Sequence, residues 1–416
     1  MTSSINPRGR VVMAATLDTK FAEIEFVRAR FAAEGIETLL IDCGVLGVAG
    51  TAADISRESV AEAGGMSLAA LQAARSREKS IPVMIAGLKA HLAALLERGE
   101  IAGFYGIGGG TNAALASAAF EVLPFGMPKM LVTTVASGNT RPFVGMKDVT
   151  LVHSVVDVLG LNSYLRQMIR QSVAGFAGML RAAAGGASTR PPAGAVVGLT
   201  AFGSTTGAAA AIEAQLAGEG VEVLTFHARG IGGLAMERFV EEGRITAVLD
   251  LTTTEVADEI VGGICGAGPD RLRAAGALGL PQVILPGAVD MVNFGPRATV
   301  PAKFDGRNII SHTPHSTLMR TTVEENRLIA AFIAERLNAA TGPVRVILPM
   351  GGFSAYDAEG QPFHDPAADA AFCDTLESLL SPGISVRRIA SHINAPECAL
   401  AACAALAELG ALSPET

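Results

Sequence analysis

The stretch FYGIGGGTNAALASAAF, residues 104–120, decides how this chain is read. An apolar run stops at Gly108, Gly109 and Gly110, Thr111 and Asn112 follow, and an alanine-rich stretch of helical composition begins. This is a strand that turns sharply into a helix. Such a turn exposes backbone N–H groups at the positive end of the helix, and Thr111 or Asn112 can cap the helix or bond a phosphate oxygen. The glycines therefore have two readings, a phosphate cradle or a tight turn, and their spacing leaves both open. The pattern is not the dinucleotide fingerprint, since residue 111 is neither glycine nor alanine, and without a lysine it is not a P-loop.

Outward from this stretch, strand-like and helix-like segments alternate. RVVMAAT (10–16), IETLLID (36–42), IAGFYGIG (101–108) and PKMLVTTV (128–135) read as buried strands, with helical patterns between them. Residues 44–80 are punctuated by Gly and Ser and carry no clear pattern, and residues 150–183 read as mostly helical. AAAGGASTRPPAG (182–194) breaks the pattern with glycines and two prolines. The alternation then restarts with AVVGLTAFG, VEVLTFHA, ITAVLDLT, PQVILPG, VRVILPMGG and ISVRRIA. Continuous Val/Ile/Leu strands separated by helices imply parallel sheets covered on both faces. The expected fold is therefore α/β, with two doubly wound Rossmann-like domains at residues 1–185 and 194–416 and a linker at 186–193.

In such sheets ligands bind beyond the carboxyl ends of the strands, and polar residues collect there. Asp18, Thr19 and Lys20 follow the first strand, Asp42 closes the second, and Ser137, Gly138, Asn139 and Arg141 follow the fourth. Asp18 can hold a metal ion or cap the next helix, and Lys20 can meet a phosphate. Asp42 stands where a ribose-binding acid would, although its strand lacks the accompanying glycines. In the second half, GLTAFGST (198–205) matches a P-loop except that Ser204 replaces the lysine. His227, Asp250, Asp290 and His312 stand after later strands, and His312 forms a His-x-x-His spacing with His315. That spacing can bind metal, though no third ligand is indicated.

Composition narrows the classes. The 416 residues give room for two cores. With a formal net charge of −8, the chain lacks the basic balance of a general nucleic-acid or anionic-membrane binder. No apolar run is long enough, free of charge and turn signals, to read as a membrane span, and no signal-peptide pattern opens the chain. The five cysteines are scattered with no C-x-x-C pair, which suggests neither a disulfide framework nor a zinc site. A cytoplasmic location is expected.

The stretches TLDTK, IGGGTN, SGNTRPFVGMKDVTLVHSVVDVLGLN, GIGGLAMERFV, LDLTTTEVADEIVGG, PGAVDMVNFGP and SHTPHSTLMRTT together resemble a family of mostly uncharacterised bacterial proteins. Those proteins are similar to the N-terminal part of a tomato mosaic virus resistance protein and are described as ATP-binding. The resemblance runs from about residue 10 to about residue 405 and implies two Rossmann-like domains, ATP with Mg²⁺ as ligand, and self-association as a homo-oligomer. It carries nucleotide binding to Asp18-Thr19-Lys20, to the triplet Gly108, Gly109 and Gly110 with Thr111, and to Ser137-Gly138-Asn139. It names no reaction. The expectation is a Mg-ATP-dependent enzyme acting on a small anionic metabolite in an interdomain cleft. Asp18 holds magnesium, Arg141 neutralises charge, and His227, Asp250, Asp290 and His312 serve the substrate. The competing expectation is a nucleotide-gated binding protein without turnover.

Overall fold

The computed structural model describes residues 9–185 and 194–412, and these fall into two compact units. The expected linker, 186–193, lies outside the described residues.

In chain order the N-terminal unit contains β1 (Arg10–Ala15), α1 (Leu17–Ala33), β2 (Thr38–Asp42), α2 (Arg57–Ala63), α3 (Leu68–Ala74), α4 (Arg77–Glu97), β3 (Ile101–Ile107), α5 (Gly110–Val122), β4 (Lys129–Thr133), α6 (Arg141–Val144), β5 (Thr150–His153) and α7 (Ser163–Ala184). Its five strands are all parallel, in the order β2-β1-β3-β4-β5. Alternate residues of each strand enter opposite cores, because successive side chains point to opposite faces. Val12, Ala14, Phe104 and Leu131 pack with Met84, Leu88 and Phe120 from α4 and α5. Val11, Met13, Tyr105 and Val132 pack with Ile24 and Phe31 of α1 and Ile169 and Phe176 of α7. The chain leaves β1 toward β2 and returns to β3 on the other side of β1. The strand order reverses between β1 and β3, which is the switch point where doubly wound sheets open a crevice.

The C-terminal unit contains β6 (Val196–Ala201), α8 (Thr206–Gly218), β7 (Glu222–His227), α9 (Ile231–Glu241), β8 (Ala247–Thr252), α10 (Thr254–Val261), α11 (Ala274–Ala277), β9 (Gln282–Gly287), β10 (Met291–Phe294), β11 (Ile309–Thr313), β12 (Ser316–Arg320), α12 (Val323–Asn338), β13 (Val344–Pro349), α13 (Pro366–Leu379), β14 (Ser385–Ile389) and α14 (Pro396–Glu408). Its parallel sheet has the order β7-β6-β8-β9-β13-β14, which repeats the N-terminal arrangement with one strand added. Leu199, Leu249 and Leu285 pack under α8 and α14, while Ile284, Val346 and Leu348 pack under α12 and α13. The two doubly wound, mainly parallel units are the fold class expected from the sequence.

One local expectation is corrected, and two features that the sequence left unread are added. Residues 150–153 are an edge strand, not helix, and half-exposed edge positions leave no apolar run to read. β10, β11 and β12 form a small antiparallel sheet in the order β10-β12-β11, built from strands of four or five residues whose pairing is non-local. α4 starts at Arg77 and runs through Pro82, capped by Ser76. By length and composition α4 is apolar enough to cross a membrane. Met84, Leu88, Leu92 and Leu95 place one of its faces in the core of the N-terminal unit.

Candidate functional site

The site is built from the ends of β1, β2 and β3. Asp42, at the end of β2, is buried, and its Oδ1 accepts from the N–H groups of Leu17 (3.2 Å) and Gly44 (2.8 Å). Burial pushes its pKa up, while those two N–H groups and Arg57 oppose the shift and Asp18 adds to it. Asp42 thus braces the β1–α1 turn and is not a free acid awaiting a ribose. Asp18, in the first turn of α1, accepts from the Leu46 N–H (3.1 Å) through Oδ2. Its Oδ1 is buried and has no partner among the described residues. The Thr19 hydroxyl lies 3.0 Å from that of Thr16. The Lys20 ammonium donates to the Val158 carbonyl, which uses its charge within the fold.

The glycine triplet divides in two. Gly108 has φ +142°, and a Cβ there would lie 2.5 Å from Asn112 Nδ2, so glycine is required by the turn itself. Gly109 has φ −81°, the φ of Gly110 is not positive, and a Cβ at either position meets nothing within 4 Å. Neither is needed to make the turn. Asn112 is buried and works internally: Oδ1 accepts from Thr16 N and Oγ1, and Nδ2 donates to the Ile107 carbonyl. It staples the end of β1 to the start of α5, directly at the switch point.

In front of Gly109 and Gly110 lies a cavity of about 250 Å³. The first turns of α1, α4 and α5 all border it, through Asp18, Thr19 and Lys20, through Arg77, and through Gly110 and Thr111. Helix starts bring a positive field that favours an anion, most openly at α5. The Leu17, Thr19 and Lys20 N–H groups of α1 are taken by Asp42 and Thr16, and the Lys79 and Ser80 N–H groups of α4 by Ser76. Val45, Leu46, Leu71, Ile81, Met84 and Leu115 make an apolar wall on the same cavity. Sequence reading missed Arg75, Ser76 and Arg77, which also border it. The signal was present in "ARSREKS", since Arg77 is a cation at the start of a helix, where the dipole disfavours it.

Ser137, Gly138, Asn139 and Arg141 do not border this cavity. Their loop closes on itself: Ser137 Oγ donates to the Thr134 carbonyl, and Asn139 Oδ1 accepts the Arg141 N–H. It packs beside α5, where Ser117 Oγ donates to the Pro142 carbonyl.

In the C-terminal unit the equivalent switch point, between β6 and β8, is filled by the chain's own side chains. Asp250 is fully buried and accepts from Thr200 Oγ1 (2.6 Å) and from both Nη atoms of Arg271 (2.5 and 2.8 Å). Arg271 also pairs with Glu255 and Glu237, and Glu255 Oε1 accepts the Gly230 and Gly233 N–H groups at the start of α9. Asp250 is therefore an anchor in a buried ion cluster. His227 is exposed and stacks on Phe202 with ring centroids 5.6 Å apart.

Asp290 and His312 belong to a second group, beyond β9 and β13. Asp290 is fully buried; its Oδ2 accepts from Ser354 Oγ (2.7 Å) and its Oδ1 is unpartnered among the described residues. Burial pushes its pKa up to about 6 against the pull of Arg320 and Ser354. Ser354 Oγ also accepts the Tyr356 N–H, and the Tyr356 hydroxyl lies 2.6 Å from His312 Nδ1. His392 Nε2 is 2.7 Å from the Ser354 carbonyl, and Asn394 Nδ2 donates to the Ser204 carbonyl. His315 lies in the β11–β12 turn, and no cluster of three or more His, Cys, Asp or Glu suited to a metal occurs among the described residues. Of the four substrate-side candidates, the structure links Asp290 to His312 and leaves His227 and Asp250 apart.

The fold and these two groups define a protein of two doubly wound, Rossmann-like α/β units, with a cavity at the switch point of the first and a buried polar network at the switch point of the second. Residues 9–185 match the model for the uncharacterised protein family UPF0261, N-terminal domain, and residues 194–410 match its C-terminal domain. The chain belongs to the UPF0261 family. It is 41% identical over 393 residues to a UPF0261 protein of Clostridium tetani, covering 94% of this chain and 96% of that one. A UPF0261 protein of Rhizobium meliloti is 38% identical over 402 residues, 96% and 99% of the two chains. The ToMV resistance protein Tm-1(GCR237) of Solanum lycopersicum is 42% identical over 327 residues, which cover 78% of this chain and 43% of the tomato protein. The match thus spans less than half of the tomato protein.

Proposed function

We propose that the N-terminal unit binds ATP as its magnesium complex in the switch-point cavity, and that the protein is an ATP-dependent enzyme acting on a small anionic metabolite. The observation that carries this reading is the division of the glycine triplet. Gly108 serves the turn, while Gly109 and Gly110 keep clear a space that the fold does not require to be clear. A phosphate approaching the start of α5 requires that space. The apolar wall offers a surface for a base, and the start of α5 offers donors for phosphate oxygens.

The donor set also fits a hard cation. Asp18 Oδ1, buried, unpartnered and on the cavity wall, would hold magnesium. Bound there, magnesium would supply charge neutralisation at the phosphate oxygens. In the C-terminal unit the Asp290–Ser354 pair supports an enzyme reading, because a carboxyl with its pKa near 6 and a free oxygen can exchange a proton close to neutrality.

A second reading, a nucleotide-gated binding protein without turnover, is favoured by the lining of the cavity. It contains no His or Glu, its thiol Cys43 is held protonated by burial, and Lys20 is engaged by Val158. Calorimetric titration with a non-hydrolysable ATP analogue, with and without Mg²⁺, tests the shared premise. Magnesium-dependent binding that is lost in Gly109→Val supports it, and no binding at millimolar ligand overturns it. Phosphate release from ATP in the presence of candidate carboxylated metabolites then separates enzyme from switch.

A further inference from the structure

We infer that the corner between α3 and α4 counts phosphates. Arg75 and Arg77 take the charge of a polyphosphate chain, so the cavity selects nucleoside di- and triphosphates over monophosphates and uncharged nucleosides. This deepens, and rests on, the nucleotide reading above.

Both arginines border the cavity, and neither side chain has a hydrogen-bond or ion-pair partner among the described residues. Both lie exposed, and many arginines of the chain, with its 40 acidic against 32 basic residues, are by contrast paired. Elsewhere Arg10, Arg28, Arg98, Arg238, Arg307 and Arg388 each find a carboxylate. Each of the two also sits where the local structure opposes it. Arg77 is the first residue of α4, at the positive end of the helix dipole. Arg75 has φ 47°, a left-handed conformation that non-glycine residues adopt at a cost. The Arg75 N–H closes α3 on the Gln72 carbonyl, but no side-chain partner among the described residues offsets either cost.

The remaining charges on the wall point the same way. Asp18 is the one acid among the lining residues, and Lys20 is turned to a carbonyl. The uncommitted cations are therefore the two guanidiniums. N–H groups at the start of α5 suffice for a single phosphate. A second and a third phosphate add negative charge that neutral donors balance poorly, and guanidinium groups match them in charge and geometry. The element that carries the pair is an addition to the plain strand–helix–strand crossover. Between β2 and α4 the chain inserts two seven-residue helices, α2 and α3, and Leu71 of α3 borders the same cavity.

The test is titration calorimetry of the full chain, in Mg²⁺, with ATP, ADP, AMP, adenosine and inorganic tripolyphosphate. The variants are Arg75→Ala, Arg77→Ala, their double and Arg75→Gly. For the parent protein, affinity rises about tenfold or more from AMP to ATP, and the double variant removes most of that ratio. Arg75→Gly, which accepts the left-handed backbone, behaves like Arg75→Ala, so the charge and not the turn is read. An unchanged ATP-to-AMP ratio in the double variant overturns the inference, as does a full parental ratio in Arg75→Gly. A parent that binds ATP and adenosine equally overturns the arginine pair and leaves the nucleotide reading intact. A parent that binds tripolyphosphate but no nucleotide overturns the nucleotide reading and leaves the arginine pair. Binding of neither overturns both.

Discussion

The side-chain oxygen of Asn112 accepts two hydrogen bonds from Thr16, one from the backbone N–H and one from the hydroxyl, both at 3.3 Å. One carboxamide thus ties the end of β1 to the first turn of α5, and its amide hydrogen is used on the Ile107 carbonyl at 3.1 Å. Asn112→Ala leaves the Ile107 carbonyl and Thr16 N–H without these partners. Such a loss at a buried site costs about 1–3 kcal/mol. Urea unfolding checks this, and a loss below about 0.5 kcal/mol would mean water replaces the staple.

The three glycines are expected to separate stability from binding. Gly108→Ala meets Asn112 and an unfavourable φ, so it destabilises by about 1 kcal/mol or more. Gly109→Ala and Gly110→Ala meet nothing in the fold and stay within about 0.5 kcal/mol of the parent. Both should nonetheless weaken the ATP analogue about tenfold. Equal binding by parent and Gly109→Ala would return the triplet to the role of a turn.

Arg271 is expected to be indispensable to the C-terminal unit. It is 1% exposed among Asp250, Glu255 and Glu237, so Arg271→Met leaves three buried carboxylates without their cation. Breaking a buried pair in this way costs about 3–5 kcal/mol. The measurement is the denaturant midpoint of the C-terminal unit, and a change under 1 kcal/mol would show that the carboxylates are satisfied by other groups.

The C-terminal unit should lose stability as pH rises, the reverse of ordinary acid sensitivity. Asp290, Asp357 and Asp369 share Arg320 in a buried group, and burial raises all three. Asp290 is pushed up to about 6 and Asp357 to about 9, against 3.8 for the free side chain. Between the two values the folded state holds a proton that the unfolded state has released. Stability is therefore full near pH 4 and falls as pH rises through 6 and on toward 9, by at most about 1.4 kcal/mol per pH unit for each group. Asp290→Asn should flatten the part between pH 4 and 6. Urea midpoints at pH 5 and pH 8 decide the sign, and a higher midpoint at pH 8 rejects this account.

The architecture was legible because each buried strand is a short apolar run bounded by turn residues, as in VVMAA and FYGI, and such runs need no partner to be recognised. β5 was not legible, since Thr150–His153 lie at a half-exposed edge, and the β10–β12 pairing was not, since it joins residues well apart in sequence. Arg75 and Arg77 were passed over because residues 44–80 have no periodicity, and only folding brings that corner to the glycine turn. Arg141 and Ser137 read as site residues for the converse reason, and the fold places them away from the cavity. A polar loop after a strand resembles a site until its hydrogen bonds are seen to close on one another.

The sequence by itself determined two doubly wound α/β units, the strand-to-helix turn at Gly108 and the gathering of polar residues at strand ends, because all three follow from local patterns of apolar and turn residues. The tertiary structure alone decided which of those polar residues remain available. Asn112, Asp42, Lys20 and Asp250 are committed within the fold, while Asp18 Oδ1, Arg75 and Arg77 are not. The reason is physical: a buried polar group takes the nearest partner, and which partner is nearest is set by strands and helices distant in the chain.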